Sequence, residues 1–218
     1  MSAETVQTII DDLGALLLFT MILIVAASQI SRAIYAVAAQ SLFIAIAGAV
    51  LATATGNADL WVIAGVTLAV KAIVLPWVLH LVVRRMNVRR EVEPVIPIAA
   101  TLTLALIVVV MSFHLSASLG TVRQAITGNA LPVGIALTLT GVLVMATRKT
   151  ALHQMVGLFA SENGIFFTAM AVSQGMPLII EIGVILDVIL AVLVMTIMVL
   201  RVRSTVDADI ADLDRLRG

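Results

Sequence analysis

The sequence predicts an all-α polytopic membrane protein with seven transmembrane helices, its amino terminus outside and its carboxyl terminus in the cytoplasm. Three observations carry this expectation. Of 218 residues, 61% are hydrophobic and 12% charged, against about 45–50% apolar and about 25% charged in a soluble domain. The apolar runs last about 20 residues, the length a helix needs to cross the hydrocarbon core. The basic residues, once the connections are placed, gather on one side.

The first span is expected over residues 8–27. Its leading segment, MSAETVQTIIDD, is acidic and lacks the basic n-region of a signal peptide, so the run is read as a retained helix. Asp11 and Asp12 stand near its expected start, where carboxylates favour the positive end of the helix dipole. SQISR leads into the second span, 33–55, and GNAD, with Asp59, into the third, 60–82. The basic run RRMNVRREVEP follows, and its Pro94 suits the first turn of the fourth helix, 95–115. SASLGTVRQAITGN precedes the fifth span, 130–147, and the short TRKT the sixth, 151–172. SQGMP, with Gly175 and Pro177, punctuates the chain before the seventh, 177–200, leaving a tail of 201–218. Short connections make spans one and two, five and six, and six and seven antiparallel neighbours.

Loop charge fixes the expected orientation. With seven spans, one side receives Arg32, Arg84, Arg85, Arg89, Arg90, Arg148, Lys149, Arg201, Arg203, Arg215 and Arg217, and the other receives Arg123 alone. The thirteenth basic residue, Lys71, lies inside a span. Cytoplasmic loops accumulate Lys and Arg, so the basic side is the cytoplasmic one.

The same composition excludes several kinds of chemistry. No stretch outside the spans exceeds the 18-residue tail, too little for a soluble catalytic domain. A formal charge of zero makes no case for nucleic acid. Cysteine is absent, which removes disulfides, thiolate nucleophiles and cysteine-held iron–sulfur clusters. His80, His114 and His153 fall in different helices and form no short metal-ligand pattern. Neither a metal nor another cofactor is therefore expected in this chain. The methionines read as flexible packing residues. Gly157 with Ser161, and Gly65 with Ala69, have the four-residue spacing that permits close helix approach, although spacing alone specifies no contact.

What remains is a small set of ionisable residues within the spans. Lys71 lies eleven residues into the third predicted helix, about 16 Å from its start and near the bilayer centre. Charges there cost roughly 2.5–3.5 kcal/mol even on lenient insertion scales, so Lys71 needs a partner, hydration or a neutral form. Pro76, five residues on, removes a backbone donor and is expected to kink the helix. Glu162 and Asp187 stand at the middle of the sixth and seventh spans. Two carboxylates at matching depth on neighbouring helices suit a proton or cation relay, because desolvation favours their protonated forms. A structural reading, in which they pair and fix packing, stays open beside it. Glu181 lies six residues before Asp187, about 9 Å along the helix and on a different face, and fits an outer half-path or a headgroup contact. His80 and His153, near the cytoplasmic ends of their spans, exchange protons near neutral pH as free imidazoles. Nine positions separate each from its central charged neighbour, a rotation of about 180° in a regular helix.

The third-span sequence VKAIVLPWVL, the sixth-span sequence GLFASENGIFF and the seventh-span run EIGVILDVILAVLVMTI resemble hydrogenase-4 component E, a membrane subunit of formate-hydrogenlyase-type complexes, over nearly the whole chain. The last three spans are also similar to the K subunit of respiratory complex I and the C subunit of multisubunit cation/proton antiporters. Gly157, Leu158 and Asn163 match that subunit's Gly-Leu-Glu-x-x-x-Asn pattern, and Asp187 stands where it has its second membrane glutamate. Phe159 takes the place of the glutamate after Gly-Leu, and the carboxylate comes three positions later as Glu162.

The resemblance implies a four-helix amino-terminal part over 1–129, a K-like three-helix part over 130–200 and a cytoplasmic tail over 201–218. It implies a non-catalytic subunit of a bacterial or archaeal cell membrane that helps assemble a membrane arm and conducts protons or other cations. Its implied partners are antiporter-like large membrane subunits, a membrane subunit like the H subunit of complex I, peripheral hydrogenase-like subunits and membrane lipid. A nickel–iron centre and iron–sulfur clusters would reside in the peripheral partners. Lys71, Glu162 and Asp187 are the central path candidates, with Glu181, His153 and His80 toward its ends. A purely structural anchor and a stand-alone secondary transporter are the alternatives.

Overall fold

The computed structural model describes residues 2–85, 94–118 and 129–173, all within one unit spanning residues 1–180. Every described element is helical: α1 (Ala3–Ala26), α2 (Ile30–Thr55), α3 (Ala58–Val66), a π-helix (Thr67–Val74), α4 (Leu75–Arg85), α5 (Ile98–Ser118), α6 (Ala130–Thr147) and α7 (Ala151–Ser173). Five stretches among the described residues are long and apolar enough to cross a membrane: α1, α2, the continuous run Ala58–Arg84, α5 and α6. The 23-residue α7, which carries Glu162, packs among them as a sixth long helix. The seventh predicted span, with Glu181 and Asp187, lies outside the described residues, as do Arg89, Arg90, Arg123 and the tail.

The observed bounds follow the apolar runs, and local chemistry explains where they differ. α1 begins five residues earlier than expected because Ser2 caps it, its hydroxyl accepting from the Thr5 N–H, and Glu4 supplies the first-turn carboxylate. Asp11 and Asp12 consequently sit in the third turn and not at the helix start. α2 ends where Gly56 adopts a left-handed φ of 68° and closes the last turn onto the Ala52 carbonyl. Asn57 then caps α3 by accepting from the Asp59 N–H.

The third crossing is continuous but irregular. The Leu75 N–H bonds the Val70 carbonyl, a five-residue reach that widens the turn around Lys71. Pro76 lacks an N–H, and in a regular helix its ring would press on the carbonyl of Ala72. The wider turn upstream relieves that crowding, so the irregularity falls before the proline and contains the lysine.

Large apolar side chains such as Ile10, Leu17, Ile44 and Phe167 fill the core, but α5 turns its small and polar residues inward and its large apolar ones outward. On α5 the buried positions are Thr101, Ala105, Ser112 and Ser116, while Leu106, Val110 and Met111 are exposed. α6 and α7 approach most closely. A methyl group added at Gly141 would lie 2.5 Å from Ser161 N and 2.7 Å from the Gly157 carbonyl oxygen, and one at Gly164 would lie 2.7 Å from the Gly134 carbonyl oxygen. Glycines seven apart on each helix thus face each other across an antiparallel pair, whereas Gly65 has no neighbour within 4 Å. α1 and α2 pack on each other, and also on α6 and α7 respectively.

One end of the bundle collects the basic residues. Arg148 Nη2 donates to the Val25 carbonyl at 2.6 Å, joining the α6–α7 connection to the carboxyl end of α1. The Val95 N–H donates to the Thr147 carbonyl at 2.9 Å, and the Tyr35 and His80 rings meet at 4.7 Å. Arg32, Arg84, Arg148 and Lys149 therefore share this end.

Candidate functional site

Two central residues set the depth of the site. Lys71 is the middle residue of Ala58–Arg84, and Glu162 is the middle residue of Ala151–Ser173. Lys71 Nζ lies 3.2 Å from Glu162 Oε1, with both side chains about 95% removed from solvent. An ammonium and a carboxylate in hydrocarbon each carry a desolvation cost of several kcal/mol, which mutual attraction offsets only with good geometry and further hydrogen bonds.

The further bonds come from amides and a hydroxyl at the same level. Lys71 Nζ donates to Asn163 Oδ1 at 3.4 Å. Asn163 Nδ2 donates to Gln40 Oε1 and to Ser41 Oγ, each at 3.1 Å. Gln40 Nε2 in turn reaches Met21 Sδ at 3.8 Å. The Phe166 ring centroid stands 6.0 Å from Lys71 Nζ, a distance at which its π face attracts the cation. One polar chain thus runs laterally from α1 through α2 and α7 to the π-helix.

The local helices make this meeting possible. Glu162 and Asn163 are consecutive on α7 and stand about 100° apart around the helix, so one meets the ammonium directly while the other also reaches α2. The glycine contacts draw α7 against α6. The wide turn of the π-helix holds Lys71 at the α7 surface, in the kind of irregular segment that recurs at functional sites.

Of the six residues that the sequence singles out, Lys71 and Glu162 are brought together. His80 Nδ1 bonds the Pro76 carbonyl at 2.9 Å, and His153 Nδ1 bonds Thr150 Oγ1 at 2.6 Å. Neither histidine bonds Lys71 or Glu162, and the π turn means that a regular-helix rotation does not apply between Lys71 and His80. Asp187 and Glu181 lie outside the described residues. No group of three or more His, Cys, Asp or Glu is placed to hold a metal among the described residues.

Sequence reasoning passed over Gln40, Ser41 and the full part played by Asn163. A consecutive Gln–Ser in the middle of the apolar second span was the available signal. It also read Arg148 as a topology marker. Arg148 is 5% exposed and holds Val25, while its own carbonyl accepts from Gln154 Nε2 at 3.0 Å. Burial pulls its pKa below the ordinary value, but a guanidinium stays protonated in proteins and so requires such acceptors.

The fold defines the chain as a multi-pass, all-α membrane protein. It belongs to the family of Uncharacterized protein Rv0085 of Mycobacterium tuberculosis, to which it is 36% identical over 151 residues, 69% of this chain and 68% of the relative. With a bacterial relative, the multi-pass helical fold places this chain as a bacterial cell-membrane protein. No family model matches the chain. No solved structure matches it either.

Proposed function

We propose that this protein is a non-catalytic membrane-arm subunit of a membrane-bound hydrogenase or formate-hydrogenlyase-type complex, and that its central ion pair takes part in proton or cation movement coupled to electron transfer in partner subunits. The single observation that carries the reading is the Lys71–Glu162 contact of 3.2 Å at the middle of two spans. A proton arriving on Glu162 neutralises the carboxylate, and passage of a proton onward from the Lys71 ammonium then restores a neutral pair. The pair is therefore a point where one proton displaces another without net charge accumulating in hydrocarbon. The sequence resemblance to hydrogenase-4 component E supplies the kind of complex. In this reading the basic end faces the cytoplasm, and Asp187 and Glu181, which lie outside the described residues, stay as the further path candidates of the sequence. His80 and His153 lie toward the cytoplasmic mouth, and redox centres belong to peripheral partners.

Gentle affinity purification of the native chain from its own membranes tests the assignment. Antiporter-like, H-subunit-like and hydrogenase-like subunits are expected to co-purify; recovery of the chain alone, with ion flux in liposomes containing only this protein, would instead establish a stand-alone transporter. A structural reading has an observation of its own, because Asn163 ties α2, α7 and the π-helix together. Under it, Lys71→Met disrupts assembly before it alters turnover.

A further inference from the structure

We propose that a groove between α1 and α2 at the basic end binds an anionic phospholipid, with Arg32 holding the phosphate and one acyl chain lying between the helices. The inference is independent of the hydrogenase assignment. The cavity measures about 450 Å³ and is open at the bundle surface, within the size range of small-ligand sites. It exists because Ala26, Ala27, Ala36 and Ala39 stand where larger side chains would fill the space between the two helices. The Thr20 hydroxyl already donates to the Leu17 carbonyl at 2.8 Å, which leaves a largely apolar wall suited to hydrocarbon.

Charge selects the headgroup. Arg32 lines the mouth and is exposed, and among the described residues no carboxylate pairs with it. It occupies the first turn of α2, where a cation is disfavoured by the helix dipole, and the preceding Gln29 supplies no side-chain cap. Guanidinium and helix end add their positive potentials at one place, which a phosphate neutralises and a second cation does not. Tyr35 follows on the same face, 65% exposed at the level where amphipathic rings meet headgroups. The His80 ring packs against it at 4.7 Å, so this histidine acts as a support for the groove wall. From Arg32 to Ala39 the groove runs roughly 10 Å along α2, deep enough to take the upper part of an acyl chain.

The test uses the full chain in phosphatidylcholine nanodiscs containing a photoactivatable phosphatidylglycerol, with labelled peptides mapped. Labelling is expected within the Thr20–Ala39 region, competed by unlabelled phosphatidylglycerol and not by added phosphatidylcholine. Arg32→Gln should lower it about fivefold, the effect of one basic residue near an anionic surface, and Arg84→Gln should leave it unchanged. Ala39→Phe fills the groove while keeping Arg32, and should lower labelling as well. Should Arg32→Gln not fold, Ala39→Phe and the lipid competition decide. Equal labelling by the two lipids, or full labelling of either groove variant, overturns the site. So does a probe at position 35 in native membranes that captures a partner polypeptide in place of lipid.

Discussion

Lys71 Nζ and Glu162 Oε1 meet at 3.2 Å although 91 positions separate the residues in sequence, each from the midpoint of its own membrane crossing. Their contact links the π-helix to α7 where both side chains are about 95% removed from solvent. Stability, assembly and the proposed proton chemistry all bear on this one contact.

Removal of either side chain breaks the pair and leaves the other charge buried without this contact. Lys71→Met or Glu162→Gln alone is expected to lower unfolding stability in micelles by about 3–5 kcal/mol, with Glu162→Gln at the mild end because it keeps a polar acceptor. The double variant Lys71→Met/Glu162→Leu should recover most of the loss. A double-mutant cycle on denaturant unfolding measures the coupling, and additive losses would show that the pair does not act as a unit.

Asn163 is the hub of the polar chain. Asn163→Leu takes one acceptor from Lys71, which keeps Glu162, and removes the amide that donates to Gln40 Oε1 and Ser41 Oγ, and a loss of about 2–4 kcal/mol is expected from the buried acceptors. Gln40→Leu, at the edge of the network, should cost less. Unfolding midpoints of the two variants side by side check the order.

Close approach of α6 and α7 predicts a sharp contrast between glycines. Gly141→Ala forces a methyl group to within 2.5 Å of Ser161 N and should cost about 1–3 kcal/mol through overpacking. Gly65→Ala meets nothing within 4 Å and should leave stability unchanged or raise it by up to about 1 kcal/mol. Thermal unfolding of both variants in the same detergent is the measurement.

Two neighbouring basic residues should behave differently. Arg148 is buried and bonds the Val25 carbonyl, so Arg148→Gln is expected to cost about 1.5–3 kcal/mol, the range for a charged hydrogen bond. Lys149 is exposed, and Lys149→Gln should fall within about 0.5 kcal/mol of the parent.

The described helices were legible because hydrophobic run length is a strong signal in lipid. Their ends were less so, since Ser2 and Gly56 decide them through single hydrogen bonds. Lys71 and Glu162 stood out as charges in apolar runs, but nothing in spacing said that they touch. That depends on the π turn, and Pro76 signalled an irregularity without fixing its side or kind. Gln40 and Ser41 were hidden because uncharged polar residues are common in membrane helices and acquire meaning only when Asn163 arrives from a distant segment. Gly157 and Ser161 had suggestive spacing and do line the α6–α7 contact, whereas Gly65, read on the same spacing, touches nothing. A charge count marked Arg148 as a loop residue of the basic side without showing that it is buried, because counting does not distinguish a loop that faces water from one folded back onto a helix end.

The central claim is that Glu162 moves protons and does not merely hold helices together. Its most direct test is proton flux by the proposed complex, purified intact with Glu162→Gln, reconstituted in sealed liposomes and driven by that complex's electron donor. The account predicts a full complement of subunits, continued electron transfer and loss of coupled proton movement. An assembled variant that moves protons at the parent rate and stoichiometry would contradict it.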